Sequence, residues 1–197
     1  MNTQGLTFKQ IRKKLSGKTV GIAGAGGLGS NCAISLARVG LGNLVIVDFD
    51  VVSEGNLNRQ YYFHEQIGQK KVLALKENIQ RISKDVKVEI HDLKLGPDGI
   101  LRIFKACDVI VEAFDRADMK QMILETVLGE VPNMPIVAGL GMAGWGDNES
   151  IHFRKEGMLY ICGDEKNEIA GDNPPLAPRV GMVANMQANT VLEILLK

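Results

Sequence analysis

A chain of 197 residues is long enough for one well-packed domain and short for two. Its 45% hydrophobic and 23% charged residues describe an ordinary globular protein, and with Lys+Arg and Asp+Glu both at 23 the formal net charge is zero. That balance supplies no general pull toward nucleic acid or membrane, so any bound anion must be held by local geometry.

In chain order, Met1-Asn2-Thr3-Gln4-Gly5 is polar and is followed by basic Lys9, Arg12, Lys13 and Lys14. No apolar leader core is visible there and no later stretch approaches a membrane span, so a cytoplasmic protein is expected. Thr19–Ala23 predicts a first strand ending in the loop Gly24-Ala25-Gly26-Gly27-Leu28-Gly29-Ser30. The apolar spacing from about Ser30 to Val39 predicts a helix closed by Gly40 and Gly42. Leu44–Asp48 is a second strand, apolar throughout as a strand buried on both faces should be. A polar loop from Asp50 to Gly68 leads to a helix from about Gln69 to Ile82, and Val86–Ile90 alternates like a strand nearer the edge. Asp108–Glu112 is another buried strand, followed by a helix from about Ala117 to Leu128 and a strand at Pro135–Gly139. Glu149–Phe153 and Met158–Ile161 read as a hairpin around Lys155-Glu156-Gly157, and a Pro-rich loop leads to a last helix from about Val180 to Leu195. The alternation predicts an α/β, Rossmann-like fold: a mostly parallel sheet, helices on both faces and a C-terminal antiparallel hairpin, in one domain over 1–197.

In such sheets ligands sit beyond the carboxyl ends of the strands, which selects the loops after Ala23, Val47 and Ala113. Gly24-x-Gly26-x-x-Gly29 lets the backbone turn tightly and face a phosphate with a helix N-terminus. Asp48, about twenty residues on, is placed to accept hydrogen bonds from a ribose hydroxyl. On these residues alone NAD and ATP stand equal. The polar cluster Asp50-Val51-Val52-Ser53-Glu54-Gly55-Asn56-Leu57-Asn58-Arg59-Gln60 favours ATP, whose three phosphates need cations and donors. Arg59 can fork onto phosphate oxygens, Lys71 supplies a point charge, and Asp115 can hold the Mg²⁺ that bridges phosphates. The competing readings are solvated surface charges for Arg59 and Lys71, and a helix N-cap for Asp115.

The chain resembles the ThiF/MoeB/HesA family, relatives of the ubiquitin-activating enzymes. The resemblance rests on the glycine loop, Asp48-Phe49-Asp50, Asn56-Leu57-Asn58-Arg59-Gln60, Gly68-Gln69-Lys70-Lys71, Ala113-Phe114-Asp115 and Pro178-Arg179-Val180-Gly181. It implies adenylation of the C-terminal glycine carboxylate of a ubiquitin-like carrier, with release of pyrophosphate. By position, Gly24, Gly26, Gly27, Leu28, Gly29, Asp48, Asp50, Asn56, Arg59, Gln60 and Lys71 would bind ATP and Asp115 would coordinate Mg²⁺. Arg59, Lys71 and Asp115 would be the catalytic set. The compact length resembles the short ThiF-like type of thiamine biosynthesis, whose partner is a ThiS-like sulfur carrier ending in Gly-Gly. A homodimer is the expectation for the family.

Three departures qualify the resemblance. Three scattered cysteines, Cys32, Cys107 and Cys162, form no C-x-x-C pair, and Glu165 stands where larger relatives have a second zinc ligand, so no zinc is expected. The N-terminal Arg-x-x-Arg-Gln pattern of an arginine finger is missing, and Arg12 among Lys9, Lys13 and Lys14 reads as a solvated basic face. Cys162, near the loop where some relatives carry an acyl or sulfur group, reads first as a small buried residue, and Cys32 and Cys107 as packing residues. Trp145 reads as a contact for the carrier tail or a partly buried turn anchor. The rival functions are an NAD-binding oxidoreductase or sensor, a non-catalytic half of an activating enzyme, and adenylation of another carboxylate or a tRNA nucleoside.

Overall fold

The computed structural model describes residues 5–197; most of the polar start, Met1–Gln4, lies outside them. The first element is a helix where the sequence reading assigns none, α1 (Phe8–Leu15). Phe8, Ile11 and Leu15 recur at helical spacing among four basic residues, but only Leu15 of the helix is fully buried. A capping box starts it: the Thr7 hydroxyl accepts from the Gln10 amide, and the Gln10 side chain accepts from the Thr7 N–H at 2.7 Å.

The strands β1 (Thr19–Ala23), β2 (Asn43–Asp48), β3 (Lys87–Asp92), β4 (Val109–Glu112), β5 (Ile136–Gly139), β6 (His152–Glu156) and β7 (Leu159–Gly163) form one sheet in the order β3-β2-β1-β4-β5-β7-β6. Every pairing is parallel except the β6–β7 hairpin, as the sequence predicts. Residues of β4 and β5 are buried throughout, whereas β3 at one edge mixes exposed and half-buried positions, which is why its sequence alternates.

Helices α2 (Gly27–Arg38), α3 (Lys71–Ile82) and α6 (Ala177–Leu196) cover one face, sharing a core with Ile22, Ile46 and Val111. Helices α4 (Pro97–Ile103) and α5 (Ala117–Glu130) cover the other, against Val45, Val47 and Ile110. Helix α4 also escapes the sequence reading: it is short, opens on Pro97, contains Gly99 and fully buries only Ile100. Both α2 and α6 begin three residues earlier than their apolar spacing suggests, at Gly27 and Ala177.

The chain winds from β1 outward through β2 to β3, then crosses back to place β4 on the other side of β1. A crevice opens where the winding reverses, beyond the carboxyl ends of β1 and β4. Helix α2 rises directly from that point, because a side chain on Gly29 would run into the carbonyl oxygen of Gly24. Gly29→Ala is therefore expected to cost about 1–3 kcal/mol through overpacking. At about 2–4 °C per kcal/mol for a domain of this size, thermal unfolding should show the loss, and an unchanged midpoint would contradict this packing.

Candidate active site

The turn from β1 into α2 forms the floor of the crevice. Gly24 has φ +100°, and a Cβ there would come within 2.8 Å of the Ala113 carbonyl oxygen, so the turn needs glycine on two counts. Gly26 caps α2 with no side-chain hydrogen bond, and the first turn carries no acidic residue. The first helical hydrogen bond is Ser30 N–H to Gly26 oxygen at 3.0 Å, which leaves the amides of the first turn to face an anion.

Asp48 ends β2 beside this turn. Its carboxylate accepts from the Ala25 N–H at 2.6 Å and the Asp50 N–H at 2.8 Å, so it fastens the glycine turn to the following loop. Burial pushes its pKa above the usual carboxylate value, against the two N–H donors and the charge of Lys71. The buried Lys71 at the start of α3 places its ammonium 2.8 Å from the half-exposed Asp50 carboxylate. The stem of Arg59 lies alongside Gly27, and its guanidinium donates to Gly55 oxygen and the Asn58 side chain. Burial lowers the Arg59 pKa, and the nearby charge of Asp115 works the other way.

The Asn56–Gln60 segment reaches the crevice because three side chains moor it. Asn31 on α2 donates to both Gly27 oxygen and Arg59 oxygen, at 2.7 and 2.9 Å. Ser30 Oγ donates to Gly26 oxygen and accepts from the Tyr61 N–H. The Tyr62 hydroxyl donates to Ala25 oxygen at 2.7 Å. Gly24, Gly26, Gly27, Leu28, Asp48, Asp50, Arg59, Gln60, Lys71 and Asp115 all line one cleft, which encloses about 1170 Å³ counted to its open mouth. Asn56 and Gly29 are not among its lining residues: the Asn56 side chain accepts from the Ser53 N–H and closes its own turn, and Gly29 sits behind Gly24.

Asp115 follows β4 across the cleft. Helix α5 starts at Ala117 with Arg116 as its cap residue, so Asp115 is not the N-cap. It is exposed, and its carboxylate accepts no hydrogen bond among the described residues. One unengaged carboxylate beside a place for phosphates suits Mg²⁺, which binds through one or two carboxylates, substrate phosphate and water.

A sequence profile described as the ThiF family matches residues 2–197. The chain belongs to the ThiF family. It is 31% identical over 193 residues to "Adenylyltransferase and sulfurtransferase MOCS3" of Caenorhabditis briggsae, covering 94% of this chain and 48% of that protein. It is 31% identical over 189 residues to "Probable adenylyltransferase/sulfurtransferase MoeZ" of Mycobacterium tuberculosis, covering 93% and 45%. The chain thus spans about half the length of these curated relatives. Among solved structures, E. coli tRNA N6-threonylcarbamoyladenosine dehydratase TcdA in complex with ATP superposes with a TM-score of 0.85 at 17% identity, covering 95% of this chain and 89% of that one. E. coli MccB with ATP gives 0.74 at 20% identity, covering 94% and 57%. These two likenesses establish the shared fold.

Against that family background, sequence reasoning missed two buried ion pairs. Glu112 and Lys120 pair beneath the cleft, and Asp164 pairs with Arg179 beside it. Burial alone would push the Asp164 carboxyl up, but the Asn167 N–H, the Asn167 amide, Arg179 and the Lys166 N–H hold it far below the usual range. Arg179 also donates to Gly146 oxygen, Asp147 oxygen and Ser150 Oγ, so it fastens the loop after β5 to the start of α6. The signal for both pairs was a charged residue set against an apolar strand or helix.

Arg12 pairs with Asp85 and packs on Gly40, ahead of β2 and so at the end of the sheet away from this cleft. Trp145 is 85% exposed, which excludes the buried turn anchor. All three cysteines are buried. Burial pushes the Cys162 thiol up to about 11, against a contact with the Thr190 hydroxyl, and pushes Cys107 up to about 12 and Cys32 higher still. Iodoacetamide at pH 8 should leave all three unmodified in the native protein and label all three in denaturant; native labelling of Cys162 would contradict its burial. Because the Asp48 pKa is raised, that carboxylate should protonate at a higher pH than an ordinary aspartate. An NMR titration placing its midpoint at or below about 3.9 would contradict the desolvation described here.

Proposed function

We propose that the chain is an ATP-dependent adenylyltransferase that activates the C-terminal glycine carboxylate of a ThiS-like sulfur carrier protein. The observation that carries this reading is the convergence of Arg59 and Lys71, from the connection after β2, and Asp115, from the connection after β4, around the open first turn of α2 and beside Asp48. A dinucleotide site, whose pyrophosphate carries two charges, does not need a metal-holding carboxylate beside the two cations. A triphosphate does, since its charge must be dispersed as pyrophosphate leaves.

In this reading Asp48 keeps its two N–H donors and offers its remaining lone pairs to the ribose. The amides of Gly27 and Leu28 take the phosphates, with Arg59 and Lys71 closing over them, Lys71 exchanging its Asp50 partner for a phosphate oxygen. Asp115 would hold Mg²⁺, which supplies neutralisation of the charge on the phosphates. A C-terminal carboxylate with a pKa of roughly 3.5 is ionised at neutral pH, so no general base is needed. One carboxylate oxygen attacks the α-phosphorus, the bond to the β-phosphate bridging oxygen breaks, and the products are an acyl adenylate and pyrophosphate. The site contributes alignment and electrostatic stabilisation. The wall opposite Asp48, with Leu140, Gly141, Met142, Ile169 and Pro175, suits a tail of small uncharged residues.

The test is ATP–pyrophosphate exchange with and without a ThiS-like carrier ending in Gly-Gly. Exchange should require the carrier and fall at least a hundredfold in Asp115→Ala, whose circular dichroism should match the parent. Carrier-independent exchange stimulated by tRNA would assign the substrate to a nucleoside instead. Binding of NADH in preference to ATP–Mg²⁺ would sink the reading altogether.

A further inference from the structure

The Glu112–Lys120 pair has no part in the contacts assigned above, yet Lys120 lines the cleft. Glu112 is fully buried at the end of β4, and the Lys120 side chain is 15% exposed. The ammonium donates to both Glu112 carboxylate oxygens, at 3.1 and 2.9 Å, and to Gly139 oxygen at 2.8 Å. Its three N–H bonds are therefore all committed inside the protein, and none is left for a phosphate.

What the pair holds is backbone. Glu112 Oε1 also accepts from the Phe114 N–H at 2.7 Å, in the turn that carries Asp115. The Asp115 carboxylate has no partner among the described residues, so the backbone of that turn sets its aim. Gly139 ends β5, the neighbour of β4, and leads directly into Leu140 and Gly141, which line the adjoining wall of the cleft. The pair thus ties the Asp115 turn and the adjoining wall to one buried point. Gln187 on α6 laces the same two strands from behind, donating to Glu112 oxygen and Val137 oxygen. Buried ion pairs are poor sources of stability, since desolvation offsets their attraction.

We infer that Glu112 and Lys120 are the positioning pair of the site, setting the distance of the Asp115 carboxylate from the phosphates without touching substrate. This rests on the adenylation reading for the identity of the ligand, ATP with Mg²⁺.

The variants are E112Q, K120M, K120R and the double variant E112Q/K120M, which leaves no unpaired buried charge and keeps the test usable if a single variant unfolds. Calorimetric titration of ATP over a series of Mg²⁺ concentrations gives a readout apart from turnover, and exchange kinetics separate KM from kcat. Loss of the pair should raise the Mg²⁺ concentration for half-maximal ATP affinity about tenfold and lower kcat about tenfold. Metal-free ATP binding should stay within threefold, and K120R, which keeps the charge, should recover most of the Mg²⁺ response. On a D115N background E112Q/K120M should add less than twofold, because the pair acts through Asp115.

Equal losses of ATP affinity with and without Mg²⁺ would make Lys120 a direct phosphate ligand and overturn the inference. So would a full, multiplicative effect on the D115N background, or a Mg²⁺ response unchanged in every variant. If the parent protein itself binds no ATP with Mg²⁺, the adenylation reading falls and takes this inference with it. That result is distinguishable, because it appears before any variant is made.

Discussion

The close approach of Gly29 to the Gly24 carbonyl is the constraint on which the rest of the site depends. Because no Cβ intervenes there, α2 starts immediately beyond β1, and its first amides point into the crevice rather than toward solvent. Asp48 fixes the turn from one side through the Ala25 N–H, and Tyr62 fixes it from another through the Ala25 oxygen. A helix displaced by one residue would lose both anchors and carry the Arg59 segment with it, since Asn31 and Ser30 on α2 hold that segment in place. The anion site and its cations are in this sense one packing solution.

Charge is arranged locally in a molecule with none overall. Three cations that line the cleft already have protein partners. Lys71 rests against Asp50, Arg59 donates to Gly55 and Asn58, and Lys120 is committed to Glu112 and Gly139. The partners differ in kind. Asp50 is half-exposed and Gly55 is at the surface, so a phosphate can replace them at small cost, whereas Glu112 is sealed and its bond to Lys120 cannot be exchanged without stranding a buried charge. Burial therefore sorts these cations into two whose partners can be exchanged and one whose partner cannot.

The parallel sheet, its hairpin extension and the order of the motifs were legible in the chain. Runs such as Leu44–Val47 and Val109–Val111 are apolar because both of their faces are covered, and that pattern survives without a structure. Helix α4 was not legible, because it fully buries a single residue and an apolar period needs more than one; α1 has that period at Phe8, Ile11 and Leu15, among four basic residues that read first as a solvated face. The helix starts at Gly27 and Ala177 were misplaced for a related reason: a first turn made of glycine, or opened by Ala-Pro, carries no apolar signal of its own.

By itself the sequence determined the fold class, the place of the glycine turn, and the residue types Asp48, Arg59, Lys71 and Asp115 that meet there, since spacing and strand ends are one-dimensional facts. Only the tertiary structure decided which of them face the cleft. It turned Asn56 back on its own loop, left Asp115 without a partner among the described residues, and put Glu112 with Lys120 beneath the cleft and Asp164 with Arg179 beside it. Those outcomes depend on which groups lose their water when distant segments pack together. Desolvation belongs to the assembled molecule, and no local stretch of sequence records it.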